Sequence, residues 1–245
     1  MKKKISIILT VRNEEAFIEN CIKSIILFDK PSQVNVELLI IDGQSCDRTI
    51  EIARSFNNSD IPIEVLQNPR LSQASGFSIG VKHSDGDFVM WLGAHSEYPK
   101  NYLAIAFETI IRTKASYVGG IINTLPSGNS YSGRIVQALT THPFGVGGSG
   151  FRTGRLKEGY SDTASYGIFE KKIFDKIGYF DERLIRDQDY EFNKRIIKSG
   201  GKIWLNPKML VKYYNMPSFY SFLKKQFLME APYNAYMWYL APYTF

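Results

Sequence analysis

With 245 residues the chain has room for one large domain, or one domain with an appendage, and for a full hydrophobic core without disulfide staples. Hydrophobic residues at 44% and charged residues at 22%, with no repeat or low-complexity tract, exclude a fibrous or disordered chain. Two cysteines, Cys21 and Cys46, exclude a disulfide framework and a four-thiolate zinc site, and fit a reducing compartment.

The formal charge of +6 is unevenly spread. Residues 1–100 hold 11 Lys+Arg against 13 Asp+Glu, whereas residues 192–245 hold eight basic residues against Glu230 alone. No helix-turn-helix, zinc-finger or RNA-recognition signature accompanies that basic end, so nucleic acid is not the expected partner.

In chain order, Lys2-Lys3-Lys4 before Ile5 to Val11 imitates the charged start of a signal peptide. The apolar run stops at Arg12 without a small-residue cleavage site, so it reads as a buried first strand. Phe17, Ile18, Cys21, Ile22, Ile25 and Ile26 then recur at helical spacing within Glu14–Phe28. The alternation continues with a strand at Val36–Ile41 stopped by Asp42-Gly43, a helix at Asp47–Phe56, a strand at Ile63–Leu66, a helix at Ser72–Lys82, a strand at Phe88–Leu92 and a helix at Pro99–Arg112. Strands alternating with helices predict an α/β fold with a mostly parallel sheet covered on both faces, and ligands beyond the carboxyl ends of its strands.

Beyond residue 120 the alternation decays. Residues 141–154 hold five glycines and predict a long irregular loop. A strand at Tyr166–Phe169, a short helix at Lys171–Ile177 and a stronger helix at Asp187–Lys198 closed by Gly200-Gly201 follow, then strands at Ile203–Leu205 and Leu210–Tyr214 and an aromatic helix from about Ser218. No stretch reaches the roughly 18 uncharged apolar residues of a spanning helix. The nearest, residues 227–245, contains Glu230, Pro232, Asn234 and Pro242.

Three acidic places follow strands or open helices. Asp42, at a strand's carboxyl end beside Gly43, suits hydrogen bonding to a ribose or base, while Asp47 reads first as a cap of the next helix. The turn Gly93-Ala94-His95-Ser96-Glu97 sets His95 and Glu97 where a phosphate-bound cation would sit, although a lone histidine is more often structural. In Arg186-Asp187-Gln188-Asp189-Tyr190-Glu191-Phe192-Asn193 the helical angle puts Asp189 on the inward face with Phe192, Asn193 and Ile196, and Asp187 and Glu191 on another. An inward acid at a first turn is either a cap partner or a tuned base.

These sites, in this order, resemble a family. Thr10-Val11-Arg12-Asn13-Glu14-Glu15, Asp42-Gly43-Gln44-Ser45-Cys46-Asp47-Arg48-Thr49 and the Asp189 motif look like the inverting family 2 glycosyltransferases of GT-A fold. Ala94–Pro99, Pro143–Gly148, Phe151–Gly154, Phe180–Leu184, Gln188–Asn193 and Gly201–Leu205 resemble the succinoglycan, or exopolysaccharide, type. The resemblance implies a Rossmann-like GT-A domain over 1–215, with a nucleotide-binding half at 1–122 and an irregular acceptor half at 123–215, ahead of an aromatic and basic C-terminal segment at 216–245.

It also implies transfer of a sugar from a nucleotide diphosphate, a UDP-sugar first, to a saccharide or lipid-diphosphate-linked hydroxyl with inversion. Thr10, Val11, Arg12, Glu14, Asp42 and Arg70 would surround the nucleotide, and Asp189 would be the base. Arg152, Arg186 and Gln188 would meet the acceptor or diphosphate, and Mg2+ or Mn2+ would stabilise the leaving group through His95 with help from Glu97 or Asp87. The subgroup usually reads Asp-Ala-His where this chain has Gly93-Ala94-His95, so the first carboxylate is missing. The Gln-x-x-Arg-Trp motif typical of processive synthases is absent from the C-terminal region, which favours addition of one sugar. The final segment reads as a helix packed on the core or as a peripheral contact with an anionic membrane; the second places the protein in the cytoplasm at the inner face of the cell membrane.

Overall fold

The computed structural model describes residues 2–57, 59–126, 130–146, 150–154, 157–216 and 218–244. The first half follows the expected alternation: β1 (Lys3–Val11), α1 (Ile18–Ile26), β2 (Val34–Asp42), α2 (Thr49–Arg54), β3 (Ile63–Gln67), α3 (Gln73–His83), β4 (Phe88–Gly93), a two-residue β5 (Ser96–Glu97) and α4 (Tyr102–Thr113). Side chains of successive strand residues point to opposite faces, and here both faces are apolar. Ile5, Ile7 and Leu9 of β1, Leu38 and Ile40 of β2, and Met90 and Leu92 of β4 pack with Ile18, Ile22 and Ile25 of α1 and Leu103 and Phe107 of α4. Ile8, Leu39, Ile41, Val89 and Trp91 pack on the other side with Ala74, Phe77 and Val81 of α3.

Four strands, β3-β2-β1-β4, pair in parallel. The sheet then continues as β8 (Ser165–Glu170), β6 (Tyr117–Leu125), β9 (Ile203–Tyr214) and β5, with β7 (Gly159–Tyr160) on β9. β8 is antiparallel to both β4 and β6, whereas β6 and β9 are parallel, so the sheet is mixed, with its parallel run in the first half of the chain. On the α3 face, α8 (Lys172–Ile177) and α9 (Gln188–Lys198) complete an aromatic cluster in which Phe180 stacks on Phe192 at 4.4 Å and meets Phe77 edge-on at 4.7 Å.

Three expectations change. Residues 141–154 are not one irregular loop: α5 (Tyr131–Thr141) runs into it, and the short helices α6 (Pro143–Val146) and α7 (Gly150–Thr153) lie within it, residues 147–149 being outside the described set. Ile203–Leu205 and Leu210–Tyr214 form one strand with a register shift opposite Gly119–Ile121. The end is α10 (Phe219–Lys225), a π-helical turn at Gln226–Glu230 and α11 (Ala231–Leu240). No helix among the described residues is long and apolar enough to cross a membrane.

Candidate active site

The parallel register lines up the carboxyl ends of β1 to β4: Val11 lies opposite Asp42, Asp42 opposite Gln67, and Thr10 opposite Gly93. Asp42 is 3% exposed; its Oδ1 accepts the Ser45 N–H at 3.0 Å and its Oδ2 accepts from Gln67 Nε2 at 3.3 Å. The loops after β1 and β2 are stitched together at Asn13, whose backbone is left-handed at φ 55°. The Asn13 N–H donates to Ser45 Oγ at 3.0 Å, its Oδ1 accepts the Cys46 N–H at 2.9 Å, and the Glu14 N–H donates to Thr49 Oγ1 at 2.7 Å. Thr10, Val11, Arg12, Glu14 and Asp42 are thus brought to one edge. Asp47 is used locally, accepting the Thr49 N–H at 3.0 Å and the Glu15 N–H at 3.2 Å. Arg70 follows β3 at the same edge, where the Asn68 N–H donates to the Asp42 carbonyl oxygen at 2.7 Å and the Arg70 N–H to Asn68 Oδ1 at 3.2 Å, and its guanidinium pairs with Glu182.

At the turn after β4, His95 Nδ1 lies 3.0 Å from Glu14 Oε2, a buried oxygen that makes no hydrogen bond among the described residues. Phe17 meets the imidazole edge-on at 5.1 Å, and Glu97 Oε1 accepts the Tyr214 hydroxyl at 3.1 Å. His95, Phe17, Glu97 and Tyr214 help line a cavity of about 140 Å³. Asp87 cannot assist here. It precedes β4, at the strand's opposite end, and pairs with Lys3 and the Lys4 N–H. Among the described residues no group of three or more His, Cys, Asp or Glu side chains is placed to share a metal ion.

Across the edge, α9 carries Asp189 in its first turn. The expectation that Asp189 faces inward is corrected: Asp189 is open to solvent, while Gln188, Glu191, Phe192, Asn193 and Ile196 are the buried set. The recess around Asp189 is nevertheless tight enough that desolvation raises its carboxyl pKa, opposed by its own and the Tyr190 N–H and by Arg152. Glu191, 2% exposed, is buried because Arg195 Nε and Nη2 donate to it at 2.5 and 2.8 Å and the Tyr243 hydroxyl donates at 2.5 Å.

Gln188 is buried; its Nε2 donates to Gln73 Oε1 at 2.9 Å, which ties α9 to α3, and its Oε1 has no hydrogen-bond partner among the described residues. Arg186 turns toward Glu230, at 3.9 Å. Asp187 opens α9 in the left-handed region at φ 60°, with a buried Oδ2 that makes no hydrogen bond among the described residues. Desolvation, then Asp189 and Glu230, push its carboxyl up to about 7. Of the three arginines singled out in the sequence, Arg152 of α7 is the one whose charge reaches Asp189. On the same side, α5, α6 and Thr153 line a hollow of about 460 Å³ that includes His142 and the almost fully exposed Phe144.

Sequence reasoning missed Asn13, Asp187 and Tyr166, which packs against Gly93. Asn13 had a signal, since asparagine between a strand and a helix is a turn residue that tolerates positive φ.

The family profile described as "Glycosyl transferase family 2" matches residues 6–178. The chain belongs to that family. A dolichyl N-acetyl-α-D-glucosaminyl phosphate 3-β-D-2,3-diacetamido-2,3-dideoxy-β-D-glucuronosyltransferase of Methanococcus voltae is 34% identical, over 90% of this chain and 70% of its own length. The succinoglycan biosynthesis protein ExoA of Rhizobium meliloti is 28% identical, over 85% of this chain and 62% of its own. Among solved structures, S. aureus TarS 1–349 in complex with UDP-GlcNAc overlays with a TM-score of 0.67 at 18% identity, covering 88% of this chain and 59% of that one. The mannosyltransferase PcManGT from Pyrobaculum calidifontis in complex with GDP-Man and Mn2+ overlays at 0.65 and 15% identity, covering 86% and 57%. These overlays establish the GT-A fold, and this family 2 chain spans about three fifths of the length of those two structures.

Proposed function

We propose that the protein transfers one sugar, with inversion, from a nucleoside-diphosphate donor to a hydroxyl of a polysaccharide or lipid-diphosphate-linked acceptor during cell-surface glycan synthesis. A UDP-sugar is the first donor to test. The observation that carries the reading is Asp189: a solvent-reachable carboxylate with a raised pKa at the start of α9, next to Gln188, which bonds to Gln73 of α3. A single displacement needs one base poised to accept a proton near neutral pH. The acceptor oxygen bonds to the anomeric carbon, its proton passes to Asp189, and the bond from that carbon to the diphosphate oxygen breaks. Asp42, with Val11 and Arg12 beside it, would hold the nucleoside. Arg152 would meet charge on the leaving diphosphate.

Two names support the acceptor class: ExoA is a succinoglycan biosynthesis protein, and the M. voltae relative acts on a dolichyl-linked sugar phosphate. A peripheral membrane contact through residues 216–245 is supported by exposed Tyr220, Phe227, Leu228 and Tyr239 close in sequence to Lys224 and Lys225. A cation carried by the donor would find His95 as its nearest imidazole, and the steps above do not depend on it.

The test is a sugar-nucleotide panel, read first as thermal stabilisation and then as transfer or hydrolysis. Stabilisation with turnover that disappears in Asp189→Asn is the expected result. Gly93 favours a second reading, a catalytically impaired nucleotide-sugar-binding or scaffold protein. Donor binding with turnover that Asp189→Asn leaves unchanged removes Asp189 as base, and binding without any turnover selects the second reading.

A further inference from the structure

Position 93 is occupied by its neighbour rather than left open. An ideal Cβ built on Gly93 would lie 2.7 Å from both Cε1 and the hydroxyl oxygen of Tyr166 and 2.8 Å from its Cζ. Those distances are shorter than real contacts, and the obstacle is the phenol end of the Tyr166 ring. Tyr166 therefore stands where any side chain at 93 would begin.

Its own placement is unusual. Tyr166 lies in β8 yet has φ 39°, a conformation that a non-glycine residue adopts at a cost and that gathers at functional sites. The Tyr102 hydroxyl donates to its carbonyl oxygen and helps to hold it there.

The phenol sits among groups suited to an anion. Ser96, a residue 2% exposed, neighbours the phenol with a buried hydroxyl that has no other hydrogen-bond partner among the described residues. The charges of Arg152 and Asp189 both act on the phenol, the first lowering and the second raising its pKa. Burial pushes the phenol's pKa up, which keeps the O–H in place as a donor at neutral pH. The carboxylates at this turn, Glu14 and Glu97, cannot bind a diphosphate; a protonated phenol and a guanidinium can.

We propose that the Tyr166 hydroxyl, admitted by the missing side chain at Gly93, is a donor-binding group that together with Arg152 holds the diphosphate of the nucleotide sugar. On this proposal Gly93 is the partner that Tyr166 requires and not a lost acid. The inference rests on the glycosyltransferase reading above and names the phosphate contacts of that site.

The experiment compares nucleoside diphosphates with monophosphates by titration calorimetry, using UDP and UMP, GDP and GMP, and dTDP and dTMP, on wild type, Tyr166→Phe and Asp42→Ala. Tyr166→Phe keeps the ring and its packing. It should weaken the preferred diphosphate at least about tenfold, the equivalent of one hydrogen bond to a charged group, and leave the matching monophosphate within about twofold. A merely structural tyrosine would move both alike or neither, and either result overturns the proposal. An unchanged diphosphate affinity in Tyr166→Phe beside a loss in Asp42→Ala sinks the proposal and leaves the glycosyltransferase reading standing. No binding of any nucleotide by wild type sinks both. Melting temperatures test the steric half: Gly93→Asp should melt below wild type, and Gly93→Asp/Tyr166→Ala above Gly93→Asp. A double variant no more stable than Gly93→Asp refutes the claim that the ring is the obstacle.

Discussion

Replacing Asp187 by asparagine should make the protein's stability less dependent on pH. Asp187 is held with one buried, unbonded oxygen at the start of α9, facing Asp189 and Glu230 on one side of the balance and Arg186 and Lys225 on the other. Its carboxyl is raised from an ordinary 3.8 to about 7. The folded state therefore holds this proton more tightly than the unfolded state. As pH rises from about 4 to about 7 the unfolded chain ionises first, so stability is lost across that window and is level above it. Three units at about 1.4 kcal/mol each would give about 4 kcal/mol, and halving for solvent at this partly exposed site leaves about 2 kcal/mol. Asparagine keeps the left-handed backbone and removes the charge. Urea unfolding at pH 4, 6 and 8 should find Asp187→Asn gaining on wild type by about 2 kcal/mol between the ends of the series. A difference between the two proteins that does not change with pH refutes the reasoning, whatever its size.

Other consequences follow from particular contacts. Glu191→Ala leaves the Arg195 guanidinium buried without its carboxylate and should cost about 3–5 kcal/mol in urea unfolding, with earlier proteolysis of residues 219–244 because the Tyr243 contact is lost. Phe77→Ala removes a side chain packed against Trp91, Phe169, Phe174 and Phe180 and should cost about 3–5 kcal/mol by the same measurement. Asp42→Ala should weaken nucleotide affinity, whereas Asp47→Ala should lower the melting temperature and leave that affinity unchanged, as titration calorimetry will read. Flotation with vesicles rich in anionic lipid at low salt should recover the wild-type protein, and substitution of Tyr220, Phe227 and Tyr239 by serine should reduce that recovery; no flotation of wild type refutes the membrane contact.

The first 113 residues were legible because β1, β2 and β4 are short apolar runs buried on both faces and helices with their own period follow, as in Ile5–Val11 and the stripe Ile18-Cys21-Ile22-Ile25. The second half was harder because its strands are defined by partners distant in sequence. β6 carries Gly119-Gly120 and then Asn123 and Thr124, so no local pattern announces it, and α5 follows with Gly133, Gln137 and Thr140 in its turns. At the site, Asp42 was readable from its place after a strand. The orientation of Asp189 was not, because what decides it is the burial of Glu191 by Tyr243, 52 residues further on. Tyr166 left no local mark at all, since its meaning depends on an absent side chain at Gly93.

That last pairing has a consequence for the order in which substitutions can accumulate. With the Tyr166 ring lying against the Gly93 Cα, an acid at 93 cannot be gained in one step without displacing the ring. In Gly93→Asp alone the ring has to shift, and in a variant with a smaller residue at 166 the phenol is lost while position 93 still carries no acid. The two positions are therefore coupled: the effect of a substitution at 93 depends on what stands at 166.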